Sequence, residues 1–252
     1  MALVYLFLIL MIVLWSFSFI IADIAVDIIP PLSLALYRFI IASASFIVLD
    51  FYFKISKKKN FEKNTGKETH AKFSLNQWLL IIIASFTGAS LFFFAQYTAI
   101  QLIGPSLPAL FVCLLAPIII AVFSLLFFNE KLNSLKIIGF IIASIGGFLL
   151  LTGGDINTLT PESPNFLGYL FALLTPLLWG IYTTAIKKIS ISKPNSEIQI
   201  IKFVAYFATI ELLIFVVLNN EFWIFFENFL NIIIILSAIY LGIGCYVLGY
   251  YI

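Results

Sequence analysis

GASLFFFAQYTAIQLIGPSLPALFVCLLAPIIIAVFSLLFFNEKLNSL, residues 88–135, decides the fold of this chain. It belongs to a longer run, from Lys72 to Glu130, with no Asp, Glu, Lys or Arg between those two residues. That is far more than the ~20 residues one helical bilayer crossing needs, so the run holds two crossings. Gly104-Pro105 is the place to reverse, because proline lacks an N–H and pushes the residue before it out of the helical region. The stretch is a membrane hairpin.

Composition agrees. With 63% hydrophobic and 10% charged residues and a mean hydropathy of +1.14, the 252-residue chain has too little polar surface to cover a soluble globule. The apolar runs have helical length and lack the alternation of barrel strands, so an all-α polytopic membrane protein is expected, with the lipid bilayer as its solvent. The net charge of +2 resides in connector lysines and gives no reason to expect nucleic acid. Cys113 and Cys245 both fall in apolar spans and His70 in a polar loop, which argues against a disulfide framework or a metal site. No cofactor is expected.

Eight spans follow, at about Leu3–Ile21, Leu32–Phe53, Leu75–Thr98, Ser106–Phe128, Leu135–Leu151, Phe166–Ile186, Ile200–Leu218 and Leu230–Ile252. The first exceeds a signal peptide's apolar core and no small-residue cleavage site follows it, so it is retained as a mature helix. Lys54 to Lys72 lie between spans two and three, Lys131 and Lys136 beside the fourth turn, and Lys187, Lys188 and Lys193 after span six. The alternate connectors carry Asp23, Asp27, Asp155, Glu162, Glu221 and Glu227 with no Lys or Arg. Lysine-bearing loops stay on the cytoplasmic side. This predicts a cell (plasma) membrane protein with its N-terminus and residue 252 cytoplasmic.

The chain also repeats. At an offset of 164, Tyr5, Leu6, Phe7, Leu14 and Trp15 fall on Tyr169, Leu170, Phe171, Leu178 and Trp179, and Arg38-Phe39 on Lys202-Phe203. Beyond the lysine loop the offset becomes 154, and Gly88, Phe92 and Tyr97 fall on Gly242, Tyr246 and Tyr251. Five spans separate equivalent helices, and an odd number reverses the direction of entry, so the repeat is inverted.

With Trp15-Ser16 in span one, Arg38 in span two, the hairpin, the Asn129-Glu130-Lys131-Leu132 turn and GFIIASIGGFLLL at 139–151, the chain resembles the EamA-type drug/metabolite transporter superfamily over its whole length. The resemblance implies two five-helix repeats, of which residues 1–152 would be the first and residues 165–252 an incomplete second. Eight helices of an expected ten would then be present. Either the chain is truncated, or a homodimer or partner supplies the missing pair.

No G-x-x-x-x-G-K-[ST] loop is present, so ATP hydrolysis is not expected on this chain, and no histidine lies at bilayer depth to serve nucleophilic chemistry. An enzyme is not expected and no catalytic residue is assigned. Polar residues inside the spans are the functional candidates, since charge at that depth normally faces protein or water. Arg38 reads either as an anion contact or as a side chain reaching for the interface, or for Asp23 or Asp27. Trp15, Trp179 and Tyr182, with Thr175 and Thr183, suit a cavity for small amphiphilic solutes, or aromatic packing between repeats. Gln96 and Tyr97 join the cavity set, although a buried glutamine also bridges helices. Glu211, mid-span, reads either as the candidate for proton coupling or as a packed or protonated structural acid; nine residues from Lys202, it cannot share one cavity with that lysine on a regular helix. Gly139, Ala143 and Gly147 mark a close-packing face. The functional expectation is a secondary transporter exporting a small metabolite or drug-like solute by alternating access. The alternatives are a non-transporting membrane protein and a lipid-linked sugar flippase.

Overall fold

The computed structural model describes residues 2–60, 72–131, 133–153 and 160–251. Lys63, Lys67 and His70 of the connector, Leu132 of the fourth turn and Asp155 lie outside the described residues, as do the side chains of Lys57, Lys58 and Lys59. Every regular element among the described residues is helical: α1 (Ala2–Val26), α2 (Pro31–Asn60), α3 (Leu75–Ser85), α4 (Leu91–Ile103), α5 (Ser106–Phe128), α6 (Ser134–Thr152), α7 (Phe166–Ser192), α8 (Glu197–Leu218), α9 (Phe222–Glu227), α10 (Ile232–Ile239) and α11 (Gly249–Tyr251). Two wider, π-helical segments interrupt the set. Phe86–Ser90 joins α3 to α4, and Tyr240–Leu248 joins α10 to α11.

Six helices are long and apolar enough to cross a membrane among the described residues: Val4–Val26, Pro31–Ile55, Leu75–Ile103, Ser106–Phe128, Phe166–Ser192 and Glu197–Leu218. Ser134–Leu149 and Ile232–Leu248 are shorter apolar helices. The expected fourth span, Ser106–Phe128, coincides with α5, and local chemistry says why. Gly104 takes a positive φ of 75° that closes the turn before it, and Asn129 ends it in the left-handed region at 52°. α3 begins on a capping box, in which Ser74 Oγ accepts from Gln77 N and the Gln77 amide oxygen accepts from Ser74 N at 2.8 Å. The helix α9 was not expected. It lies in the connector between the last two apolar segments, where the Glu221 carboxylate accepts from Ser33 N and Ser33 Oγ at 3.2 and 2.9 Å and so ties that connector to the start of α2. Burial holds the Glu221 carboxyl above the ordinary range, against the pull of those two hydrogen bonds.

α2 is the centre of the bundle. Leu34, Leu36, Phe39, Ala42 and Phe46 on it are fully enclosed, and it packs against α8, α4 and the second π segment. Lipid tails are as apolar as leucine, so helix association rests on close fit and buried hydrogen bonds more than on apolar burial. Both devices occur here. Ser43 Oγ and Thr209 Oγ1 meet at 2.9 Å between α2 and α8. A Cβ on Gly242 would stand 2.7 Å from the Arg38 carbonyl oxygen, so only glycine lets the second π segment lie on α2. The exposed side chains of Leu6, Ile9, Val13 and Ile20 on α1 suit contact with hydrocarbon. On α6, a Cβ at Gly147 would stand 3.5 Å from Leu114 of α5, an ordinary contact, while one at Gly139 would meet nothing within 4 Å. The small-residue face of α6 therefore packs closely at one end only, among the described residues.

Candidate substrate cavity

A cavity of about 280 Å³ opens between the helices. α1 contributes Trp15, Ser18 and Phe19, α2 contributes Arg38, and the first π segment with α4 contributes Gly88, Phe92, Phe93 and Gln96. α5 adds the wall from Val112 to Ile120, α7 adds Trp179, and the second π segment with α11 adds Cys245, Tyr246 and Tyr250. Of the residues singled out in the sequence, Trp15, Arg38, Gln96 and Trp179 line it. Tyr97 and Tyr182 stand one layer behind, and Glu211 is outside it.

Arg38 is 5% exposed. Its Nη1 donates to Tyr97 Oη at 2.9 Å, and its guanidinium carbon lies 3.8 Å from the centre of the Phe93 ring, a cation–π contact. Its Nε is enclosed and finds no acceptor among the described residues. No carboxylate of the described residues pairs with it: neither Asp23 nor Asp27, which the sequence offered as partners, is in ion-pair contact. Lys202, its counterpart at the 164-residue offset, pairs with Asp50 and turns away from the cavity.

The aromatic wall comes from both halves of the chain. The Trp15 and Trp179 rings, which share that same offset, meet edge to face at 6.5 Å. Trp15 Nε1 donates to the Cys245 carbonyl at 3.0 Å, inside the second π segment, and Trp179 packs on Phe92 at 5.1 Å. Tyr182 packs on Trp179 at 4.8 Å, and its hydroxyl meets that of Tyr250 at 3.0 Å. Thr175 and Thr183 bond to carbonyls of their own helix, Ala172 and Trp179, so their hydroxyls are spent locally.

Glu211 has its own site. Its Oε2 accepts from Ser90 Oγ at 2.5 Å and lies 3.1 Å from Ser85 Oγ. On a regular α-helix two residues five apart point about 140° away from each other. The wider turn of the Phe86–Ser90 segment brings its flanking Ser85 and its last residue Ser90 to one side, which is what allows both hydroxyls to reach one carboxylate oxygen. Away from the cavity, Lys187 Nζ bonds to Glu130 Oε1 at 2.5 Å and to Ser124 Oγ at 3.3 Å, joining α7 to the end of α5. That hydrogen bond from Lys187 holds the Glu130 carboxyl below its ordinary range.

Sequence reasoning did not single out Phe92, Phe93, Cys245, Tyr246 or Tyr250 as lining residues. One signal existed: Phe92 and Tyr246 share the 154-residue offset, and both face the cavity.

A helical multi-pass membrane protein with a solute-sized, mostly apolar and aromatic cavity is the class defined by this bundle. The chain belongs to the EamA-like transporter family, whose profile matches residues 2–152, more than half of its length. It is thus an EamA-type member of the drug/metabolite transporter superfamily. It is similar to a protein of Archaeoglobus fulgidus named an uncharacterized transporter, 23% identical over 238 residues, which are 94% of this chain and 73% of that one. In fold it is similar to a protein of known crystal structure at a TM-score of 0.58 and 20% identity, over 98% of this chain and 76% of the other. These relations indicate a membrane transporter rather than an enzyme.

Proposed function

We propose that the protein is a secondary transporter that moves a small metabolite or drug-like solute out of the cell by alternating access, with the cavity between the two halves as its binding site. The observation that carries this reading is the origin of the wall: Trp15 and Arg38 come from the first half, and Trp179, Tyr246 and Tyr250 from the second. Moving one half against the other must open or close such a site. The two π segments support an inverted repeat, since they start at Phe86 and Tyr240, 154 residues apart, and carry Gly88 and Gly242 at equal positions. Packing is reciprocal as well. The third apolar helix of the first half lies on α7 and α8, and its counterpart lies on α1 and α2. The units are residues 1–152 and 165–252, in the plasma membrane with the N-terminus cytoplasmic.

The cavity's ~280 Å³ falls just below the ~300–1,000 Å³ typical of ligand pockets, which favours a small solute over a lipid-linked sugar. Glu211 serves as the proton-exchanging group, through the serines that flank the cavity residue Gly88. The test is solute flux in proteoliposomes under an imposed pH gradient. Gradient-driven flux that Trp179→Ala abolishes supports the reading; no flux of any small solute, with the chain folded and inserted, refutes it in favour of a non-transporting membrane protein.

A further inference from the structure

We propose that the ligand of this cavity is an organic monoanion: a single carboxylate on an aromatic or branched apolar body. The inference rests on the reading of the cavity as a solute site and adds its charge and shape.

The charge comes from Arg38. It is the one charged residue lining the cavity among the described residues, and it is almost wholly buried. An enclosed cation without a counter-ion is costly, so such groups are normally paired. Here every partner is neutral: the Tyr97 hydroxyl on Nη1 and the face of Phe93. Asp23 and Asp27 make no ion pair with it, and other acids are engaged elsewhere, Asp50 with Lys202, Glu211 with the two serines and Glu221 with Ser33. The negative charge missing from the wall is supplied by the ligand. One cation matches one anion, whereas a dianion would bring an uncompensated charge into the bilayer-depth cavity.

The shape comes from the rest of the wall. Trp15, Trp179, Phe92, Phe93, Tyr246 and Tyr250 present ring surface, with the Gln96 amide as an additional hydrogen-bonding group that has no partner among the described residues. At ~30 Å³ per water molecule, the cavity holds roughly nine waters, hence a solute of about nine to twelve non-hydrogen atoms. Benzoate has that size, charge and shape. Benzamide differs from it chiefly in charge, and benzylamine reverses the sign.

Cys113 supplies the readout, because it is exposed and lies on the cavity wall. The full chain in lipid nanodiscs is treated with N-ethylmaleimide, and alkylation of Cys113 is followed by peptide mass with benzoate, benzamide or benzylamine present. Benzoate is expected to slow Cys113 alkylation about fivefold while the other two change it less than about twofold. Arg38→Gln is expected to raise the half-protecting benzoate concentration about tenfold, with Arg38→Lys falling between. If Arg38→Gln does not fold, the wild-type comparison of benzoate with benzamide decides alone. Equal protection by benzamide overturns the anion inference and leaves a neutral-solute transporter standing. Protection by none of the three overturns the inference together with the reading of the cavity as a solute site.

Discussion

Gly88→Ala tests the packing that shapes the cavity. A Cβ at position 88 would stand 2.1 Å from Tyr182 Cδ2 and 2.2 Å from Cγ. Ordinary carbon contact needs ~3.5–4.0 Å, so the ring would have to retreat by about 1.5 Å. Tyr182 is enclosed, stacked on Trp179 and bonded through its hydroxyl to Tyr250, so it has no free direction to take. Overpacking of this kind costs about 1–3 kcal/mol, and loss of the Tyr182–Tyr250 hydrogen bond about 1 more. At ~2–4 °C per kcal/mol for a chain of this size, the apparent melting midpoint should fall by roughly 5–15 °C. The assay is thermal unfolding in detergent, followed by tryptophan fluorescence, for Gly88→Ala, Tyr182→Ala and the pair. Removing the ring should make Gly88→Ala much less costly in the double variant, where only the Cβ at position 182, 2.7 Å away, still crowds the added methyl, a coupling of opposite sign to the single loss. Gly139→Ala, where a Cβ meets nothing, is the control and should be neutral or slightly stabilising. An equal cost for Gly88→Ala with and without the Tyr182 ring would refute the reasoning.

Three further outcomes are expected. Glu211→Gln keeps the size of the side chain between Ser85 and Ser90 but cannot exchange a proton; flux driven by a pH gradient should vanish while solute binding, measured by equilibrium dialysis, changes less than about twofold. Unchanged flux would reduce Glu211 to a packing residue. The lowered Glu130 acid is ionised at neutral pH, so the stability from its tie to Lys187 is present above its unfolded value and lost as pH falls through its folded one. Glu130→Gln should therefore leave the shape of the flux–pH profile between about pH 5.5 and 8 intact, and its melting midpoint should converge on that of the wild type under acid conditions. A cysteine replacing Asn60 should be shielded from an impermeant maleimide in intact cells and one replacing Asn157 should react; reversed labelling would sink the assigned orientation.

The helices were legible because their signals are long and redundant. A charge-free run cannot hide in a soluble fold, and Gly104, Pro105 and Asn129 mark the ends of α5 by backbone chemistry alone. Four of the six aromatic and polar residues singled out for a cavity line it because such groups are rare at bilayer depth. What could not be read was helical phase. The stretch Phe86–Ser90 contains nothing that marks it as π-helical, yet it rotates everything after it relative to α-helical spacing. Relating the α3 residues to Phe92, Phe93 and Gln96 of α4, or assigning Ser85 and Ser90 to one carboxylate, needs that rotation to be known. Likewise Thr175 and Thr183 have the right spacing for a cavity face, but a hydroxyl on a helix can always turn back to its own carbonyl.

The two charged groups at the heart of the bundle are solvated in the same manner, and the manner matters more than their separation. Arg38 and Glu211 could have formed an ion pair, which would have settled both charges at once. Each has neutral partners: a tyrosine hydroxyl and an aromatic face for the cation, two serine hydroxyls for the carboxylate. Neutral donors and acceptors orient a charge without cancelling it. A buried ion pair holds its members to each other, and breaking it leaves an uncompensated charge costing about 3–5 kcal/mol, so neither member responds readily to a ligand or a proton. On the proposed reading, keeping them apart leaves Arg38 with attraction to offer an anion entering the cavity, and leaves Glu211 free to take a proton while its serines stay in place. The segment 86–90 touches both, since Gly88 lies on the cavity wall and Ser90 on the carboxylate. A change of charge at Glu211 therefore acts on the same short stretch of backbone that packs against Tyr182, two residues away from its serine contact.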